Sequence, residues 1–421
     1  MPHREDGGSA DASEPLTDAH RKVPSFHRGD VVNYHPGRTD YWSKTFLQDY
    51  LLKGWTPAAP FLDRGMKITA FGSCFAANIT RHLSNIGYDL SSKRDPDIYV
   101  SRLGDGLVNT ASILGQFEWA LEDKKQPTNL WHGFKAEGFG YDEDIRLRTR
   151  AVFLATDFFI ITLGLSEIWY DELTGGTFWR AVPEMFFDAA RHKFRVHSVA
   201  ETKADIAAIH RLVRKHVPRA KILFTVSPIP LAATFRPVSC LTANAVSKAI
   251  IRAALDEFLR DNAGELNTGL FYFPSMELVQ LGFIDPTGPD GRHPTSGILD
   301  TVMKTFEAAY CIGDGTLEDA NAMFQMFRVQ NASDVAKRES SGGEQVRLRQ
   351  AAKVAERAGI IARRRAKAVQ VKLSRIGRLE AKEAQGDGDG DGDANRAELR
   401  AARRARREQR RQEEEARPPD D

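Results

Sequence analysis

The chain has 421 residues, 42% of them hydrophobic, and a formal net charge of +2, which suits one large α/β domain with appendages or two modest domains. Its three cysteines, Cys74, Cys240 and Cys311, stand far apart without CxxC spacing, which argues against a disulfide framework or structural zinc and for a reducing compartment. No run approaches a membrane span, and the start MPHREDGGSADASEPLTDAHRK lacks the apolar core of a secretory signal, so a bacterial-type cytoplasmic protein is expected.

Residues 1–24 read as a disordered leader, since Gly, Ser, Asp and Pro outnumber anything that could be buried. Residues 25–65 carry Phe26, Tyr34, Tyr41, Trp42, Phe46, Tyr50 and Trp55, too many aromatic anchors for a free linker. They are expected to pack on the core, with a ligand-cleft wall as the other reading. From 66 to 313 strand and helix patterns alternate: MKITAF reads as a strand, then FAANITRHLSNIG as a helix that stops at Gly87. DFFIITLG is continuously apolar, as a strand covered on both faces is. SVAETKADIAAIHRLVRKHV has amphipathic helical spacing, KILFTVSPIP is another buried strand, Thr242 to Asp261 is helical again, and GLFYFPS is a further strand. This alternation predicts an α/β fold: a three-layer, doubly wound parallel sheet.

After Gly313 the composition shifts. Residues 314–421 read as a basic helical extension, interrupted at 386–395 by an Asp/Gly linker. Asp387 to Glu398 matches the spacing of an EF-hand loop, but the DG repeat generates that spacing unaided and the flanking helices are arginine-rich, so a linker is expected. The basic tail lacks aromatic residues for base stacking and is interspersed with glutamate. It suits a solvated helix that self-associates or meets a protein partner better than one that binds nucleic acid.

In open parallel sheets, ligands bind beyond the carboxyl ends of the strands. Four segments fall there: Gly72-Ser73-Cys74-Phe75, Gly164-Leu165-Ser166-Glu167, Ser227-Pro228-Ile229-Pro230, and Asp290-Gly291-Arg292-His293-Pro294. A serine at a strand-to-helix turn is exposed beside helix N-terminal amides that can hold an oxyanion, although serine is also a common helix cap. The DxxH of Asp290 and His293 lets a carboxylate orient the ring while its other nitrogen faces a nucleophile. Together the two motifs give the chain order Ser, Asp, His. Asp285 is a rival partner for the imidazole.

The blocks GSCFA, GLVNT, TLGLSEIW, TVSPIPL, FYFPSMEL and DGRHPT resemble the GSCFA family, which is similar in turn to the SGNH or GDSL hydrolase superfamily. The resemblance covers about residues 66 to 312. It implies Ser73 as nucleophile, His293 as base and Asp290 as its orienting partner, with no cofactor or metal. It also implies an oxyanion hole from the Ser73 amide, a glycine amide at Gly104 or Gly106, and a side chain at Asn109. Where the superfamily has Gly-x-Asn-Asp, this chain has Gly164-Leu165-Ser166-Glu167, so Ser166 is a further candidate donor. Glu167 reads as a structural acid or a substrate contact, and Arg292 as a holder of an anionic group or a solvated residue. Cys74, turned about 100° from Ser73 on the helix, is expected to face the core. The expected activity is a serine esterase acting on an O-acyl substrate such as an acylated carbohydrate, the alternatives being an acyltransferase or a non-catalytic glycan-binding adaptor.

Overall fold

The apolar runs pair into a sheet in the computed structural model, which describes residues 32–103, 106–125, 141–179, 181–182, 184–340, 352–361 and 363. In chain order the elements are β1 (Lys67–Gly72), α1 (Cys74–Asn85), β2 (Asp89–Leu90), the short turns α2 (Ser91–Arg94) and α3 (Tyr99–Arg102), α4 (Thr110–Glu122) and α5 (Glu143–Leu154). β3 (Phe158–Leu163), β4 (Glu167–Asp171), β5 (His192–Val196), α6 (Val199–His216), β6 (Lys221–Val226) and α7 (Cys240–Asp261) follow. β7 (Leu270–Phe273), α8 (Ser275–Gly282), α9 (Ser296–Tyr310) and α10 (Leu317–Ser340) complete the order.

Five strands form one parallel sheet in the order β2-β1-β3-β6-β7. β3 lies at its centre, and all six of its residues are buried. Successive side chains of a strand point to opposite faces, so a continuous apolar run feeds two cores at once. Phe159, Ile161 and Leu163 join Phe71, Ile222 and Phe224 beneath α4, α5, α6 and α7. Phe158 and Ile160 join Ile68, Leu223 and Phe271 beneath α1, α8 and α9. The result is the expected α/β architecture, with helices on both faces of a parallel sheet.

The strand order reverses between β1 and β3, the kind of point at which doubly wound sheets bind ligands beyond the carboxyl ends of their strands. Two glycines make the close approach there. Gly72 has φ +137°, and a Cβ on it would stand 2.1 Å from the Thr162 carbonyl oxygen. A Cβ on Gly164 would stand 2.9 Å from the Val108 carbonyl oxygen and 3.3 Å from Ser73 Cβ.

Two features were not legible in the strand and helix patterns. β4 and β5 form a separate antiparallel hairpin that leaves the carboxyl edge directly after β3. The segment after Gly313 begins as α10, which packs on α9 and buries Ala320 and Phe324 in the second core. Phe324 stacks on Phe46 at 5.7 Å, and the Asn321 side chain accepts the Leu47 N–H at 3.1 Å. Residues 314–340 are therefore tied to the body by the N-terminal aromatic segment, because Phe46, Leu47 and Leu52 are buried against them and the sheet. The leader of residues 1–24, the Asp/Gly segment 386–395 and the EF-hand-like spacing at 387–398 lie outside the described residues. Among the described residues, no helix is long and apolar enough to cross a membrane.

Candidate active site

Ser73 and Cys74 straddle the end of β1 and the start of α1, and the junction gives them opposite fates. Ser73 keeps extended backbone (φ −85°, ψ 174°), and its hydroxyl oxygen accepts the Phe75 N–H at 3.2 Å as the N-cap of α1. It is 3% exposed, against the backbone of Gly164. Its own N–H donates to the Thr162 carbonyl at 3.1 Å, extending the β1–β3 ladder by one residue. Among the described residues its hydroxyl makes no hydrogen bond to His293.

Cys74 is the first residue of the helix and is half-buried. Its Sγ lies 4.0 Å from His293 Nε2. Cys74 packs against the second core as expected, but only partly, since Phe75 and Ala76 take the fully buried positions of this turn. The cap holds Ser73 inward, and one residue further along the helix the side chain emerges under the loop that carries His293.

Hydrogen bonds within that loop aim the ring. The Gly288 N–H donates to the His293 carbonyl at 2.8 Å, and the Thr295 N–H to the Pro286 carbonyl at 3.1 Å. Asp290 Oδ1 accepts the N–H groups of Arg292 and His293, each at 3.0 Å, across a turn in which Gly291 has φ +68°. Its other oxygen, Oδ2, stands 2.6 Å from His293 Nδ1. Burial works to raise the Asp290 carboxyl, but the His293 hydrogen bond and the two backbone donors outweigh it and hold the group at about 2. The carboxylate thus stays ionised and draws the ring proton to Nδ1, which leaves Nε2 as an acceptor facing the thiol. Asp285, the rival, is committed elsewhere: it accepts the Thr287 hydroxyl at 2.9 Å and pairs with Arg338 of α10 at 2.8 Å.

The expected oxyanion donors are mostly engaged. Gly104 lies outside the described residues. Gly106 bridges to Ser73, but its N–H donates to the Leu103 carbonyl at 2.7 Å. Asn109 caps α4 by accepting the Ser112 N–H at 2.8 Å, and its amide donates to the Trp179 carbonyl at 3.3 Å. The Ser166 hydroxyl points into α7, 3.3 Å from the Ser247 hydroxyl. Glu167 accepts the Thr234 hydroxyl at 2.7 Å, and Arg292 donates to the Pro230 carbonyl at 2.9 Å. These contacts fasten the loop after β6 between the hairpin and the His293 loop.

Two further features were missed from the sequence. Lys248 of α7 is buried and donates to the Gly164 carbonyl at 2.7 Å, behind Ser73. Burial pushes its ammonium down to about 7; the nearby Cys74 opposes that fall and Arg292 adds to it. A cluster of aromatic rings also stands on the carboxyl edge. Trp169 lies 4.9 Å from Phe235 and 5.7 Å from Phe187, and both phenylalanines are exposed.

Asp290, the His293 ring and the half-buried Cys74 thiol thus stand in a line at the sheet edge. The comparisons agree with the family expected from the motifs: the model of the GSCFA family matches residues 67–306. No curated protein matches the chain.

Proposed function

The chain belongs to the GSCFA family, and from that premise and the geometry at the sheet edge we propose that it is an acyl-ester hydrolase whose nucleophile is Cys74. The observation that carries the reading is the line from Asp290 Oδ2 through the His293 ring to Cys74 Sγ, at 2.6 Å and 4.0 Å. The second contact is long for proton transfer, as catalytic hydrogen bonds often are before substrate binds. This reading moves the nucleophile one residue from Ser73, whose hydroxyl serves α1 as a cap.

In the reaction, His293 Nε2 takes the thiol proton as Cys74 Sγ attacks the carbonyl carbon of an O-acyl ester. The tetrahedral intermediate collapses with loss of the alcohol, which receives that proton from the imidazolium, and a thioester remains on Cys74. Water then gives a proton to His293 and attacks the thioester, so that the acid leaves and the thiol is restored. An alcohol in place of water makes the same site an acyltransferase. Asp290 keeps the ring oriented through both halves. The exposed rings of Phe187 and Phe235 beside Trp169 support a substrate with an apolar or sugar-ring face, such as an acylated carbohydrate.

The test is to trap the acyl group. Full-length protein is mixed with p-nitrophenyl acetate, quenched in acid and mapped by peptide mass spectrometry. The expected result is a hydroxylamine-labile acetyl group on Cys74, absent from Cys74→Ala and from His293→Ala. Acetylation or fluorophosphonate labelling of Ser73 that persists in Cys74→Ala would overturn the assignment.

A further inference from the structure

The hairpin β4–β5 and the loop after β6 meet in a set of aromatic rings at the carboxyl edge of the sheet. Trp169 of β4 stands edge-on to Phe235 at 4.9 Å and to Phe187 at 5.7 Å, and Phe194 of β5 lies 5.4 Å from Phe235. Phe187 remains 46% exposed and Phe235 59%. Just beyond Phe235 the chain leaves Val238 and Leu241 exposed as well. Apolar side chains gathered on an open edge mark a surface that another apolar group covers.

Two contacts tie these rings to the line of Asp290, His293 and Cys74. Thr234, the neighbour of Phe235, donates its hydroxyl to Glu167 of the Trp169 strand at 2.7 Å. Pro230, at the start of the same loop, accepts the Arg292 guanidinium through its carbonyl at 2.9 Å, and Arg292 adjoins His293, whose ring faces Cys74. The loop that presents Phe235 is thus fastened to the hairpin on one side and to the His293 loop on the other. Polar groups of the hairpin are already engaged: Arg195 pairs with Glu201 at 2.6 Å, Arg191 with Asp171 at 2.6 Å, and the Asp188 N–H donates to His192 Nδ1 at 3.1 Å. A sugar laid on these rings would bury hydroxyls against phenylalanine, which returns no hydrogen bond, whereas a hydrocarbon chain gives up only its contact with water.

We infer that Trp169, Phe187 and Phe235 form a subsite for a hydrocarbon acyl chain, so that the substrate carries an acyl group longer than acetyl. The inference rests on the hydrolase reading; in an acylated carbohydrate it assigns the chain to the rings and leaves the sugar outside them. The experiment compares kcat/KM on p-nitrophenyl acetate, butyrate and octanoate for the full-length wild type, Phe235→Ser and Phe187→Ser. The expected result is an octanoate-to-acetate ratio of roughly 10 to 100 in wild type, carried by KM, as an about half-covered chain gives. In Phe235→Ser that ratio should fall about fivefold or more. Taken within each protein, the ratio does not depend on the fraction folded, and Phe187→Ser makes the same comparison at the other ring. A wild type that hydrolyses acetate and octanoate alike, or a ratio unchanged in both variants, overturns the inference and leaves the hydrolase standing. A flat acyl series with a gain of octyl acetate over ethyl acetate puts the alcohol's chain on the rings and overturns it too. So does hydrolysis of xylose tetra-acetate that falls in Phe235→Ser while the ratio holds. Folded protein that turns over none of these esters removes the hydrolase and the subsite together.

Discussion

Replacing Lys248 by methionine is expected to stabilise the fold at neutral pH, against the usual effect of altering a buried side chain. Burial lowers the lysine from its ordinary 10.5 to about 7, which at 1.36 kcal/mol per pH unit corresponds to about 5 kcal/mol of unfavourable free energy when the group is charged. Methionine retains the apolar stem but leaves the Gly164 carbonyl without its donor, a loss of about 1–3 kcal/mol. A net gain of roughly 2–4 kcal/mol remains, or about 4–16 °C in Tm for a domain of this size. The pH dependence carries the sign. Between about 7 and 10.5 the unfolded chain keeps the lysine proton and the folded protein releases it, so wild-type stability rises with pH through that window. The destabilisation is fully present below about 7. Urea unfolding at pH 6, 7.5 and 9, followed by tryptophan fluorescence, should therefore show Lys248→Met ahead at pH 6 and the gap closing at pH 9. A variant less stable than wild type at pH 6, or a gap that does not change with pH, would refute the argument.

Four other outcomes follow from the same contacts. Ser73→Ala removes the α1 cap and should lower stability by about 1 kcal/mol in urea unfolding, while ester turnover stays within about tenfold of wild type. Asp290→Asn should lower kcat by about 10² to 10⁴ with little change in Tm, since it leaves His293 in place and withdraws the charge that fixes its tautomer. With Asp290 held at about 2, the acid limb of the wild-type pH–rate profile should lie well above that value and belong to other groups. Gly72→Ala places a Cβ 2.1 Å from the Thr162 carbonyl oxygen and should yield little soluble protein or a loss above about 3 kcal/mol, read by expression and calorimetry.

The unfavourable Lys248 ammonium lies at the one edge of the sheet where the Gly72 turn, the His293 loop and the aromatic hairpin meet.

The sequence by itself determined the sheet and its handling of the chain. Continuous apolar runs at Phe158–Leu163 and Lys221–Val226, with one long helical period between them and another after the second, admit little other than parallel strands covered on both faces. It also determined the Asp290–His293 pair, because three residues of turn bring a carboxylate and a ring together whatever the rest of the chain does. Only the tertiary structure shows which of Ser73 and Cys74 lies against the His293 ring. Adjacent side chains differ by one step of helical phase, and which of them meets the ring depends on a loop more than two hundred residues away. Asn109 and Ser166 keep donor chemistry on paper, but their partners at Ser112, Trp179 and Ser247 become visible only in the folded chain. Lys248 left no local signal at all: a lysine in an amphipathic helix reads as solvated, and what buries it is the crossing of α7 over the end of β3. Local periodicity reports the neighbours a residue has along the chain, whereas charge, exposure and reactivity are set by the neighbours it acquires when distant segments close on one another.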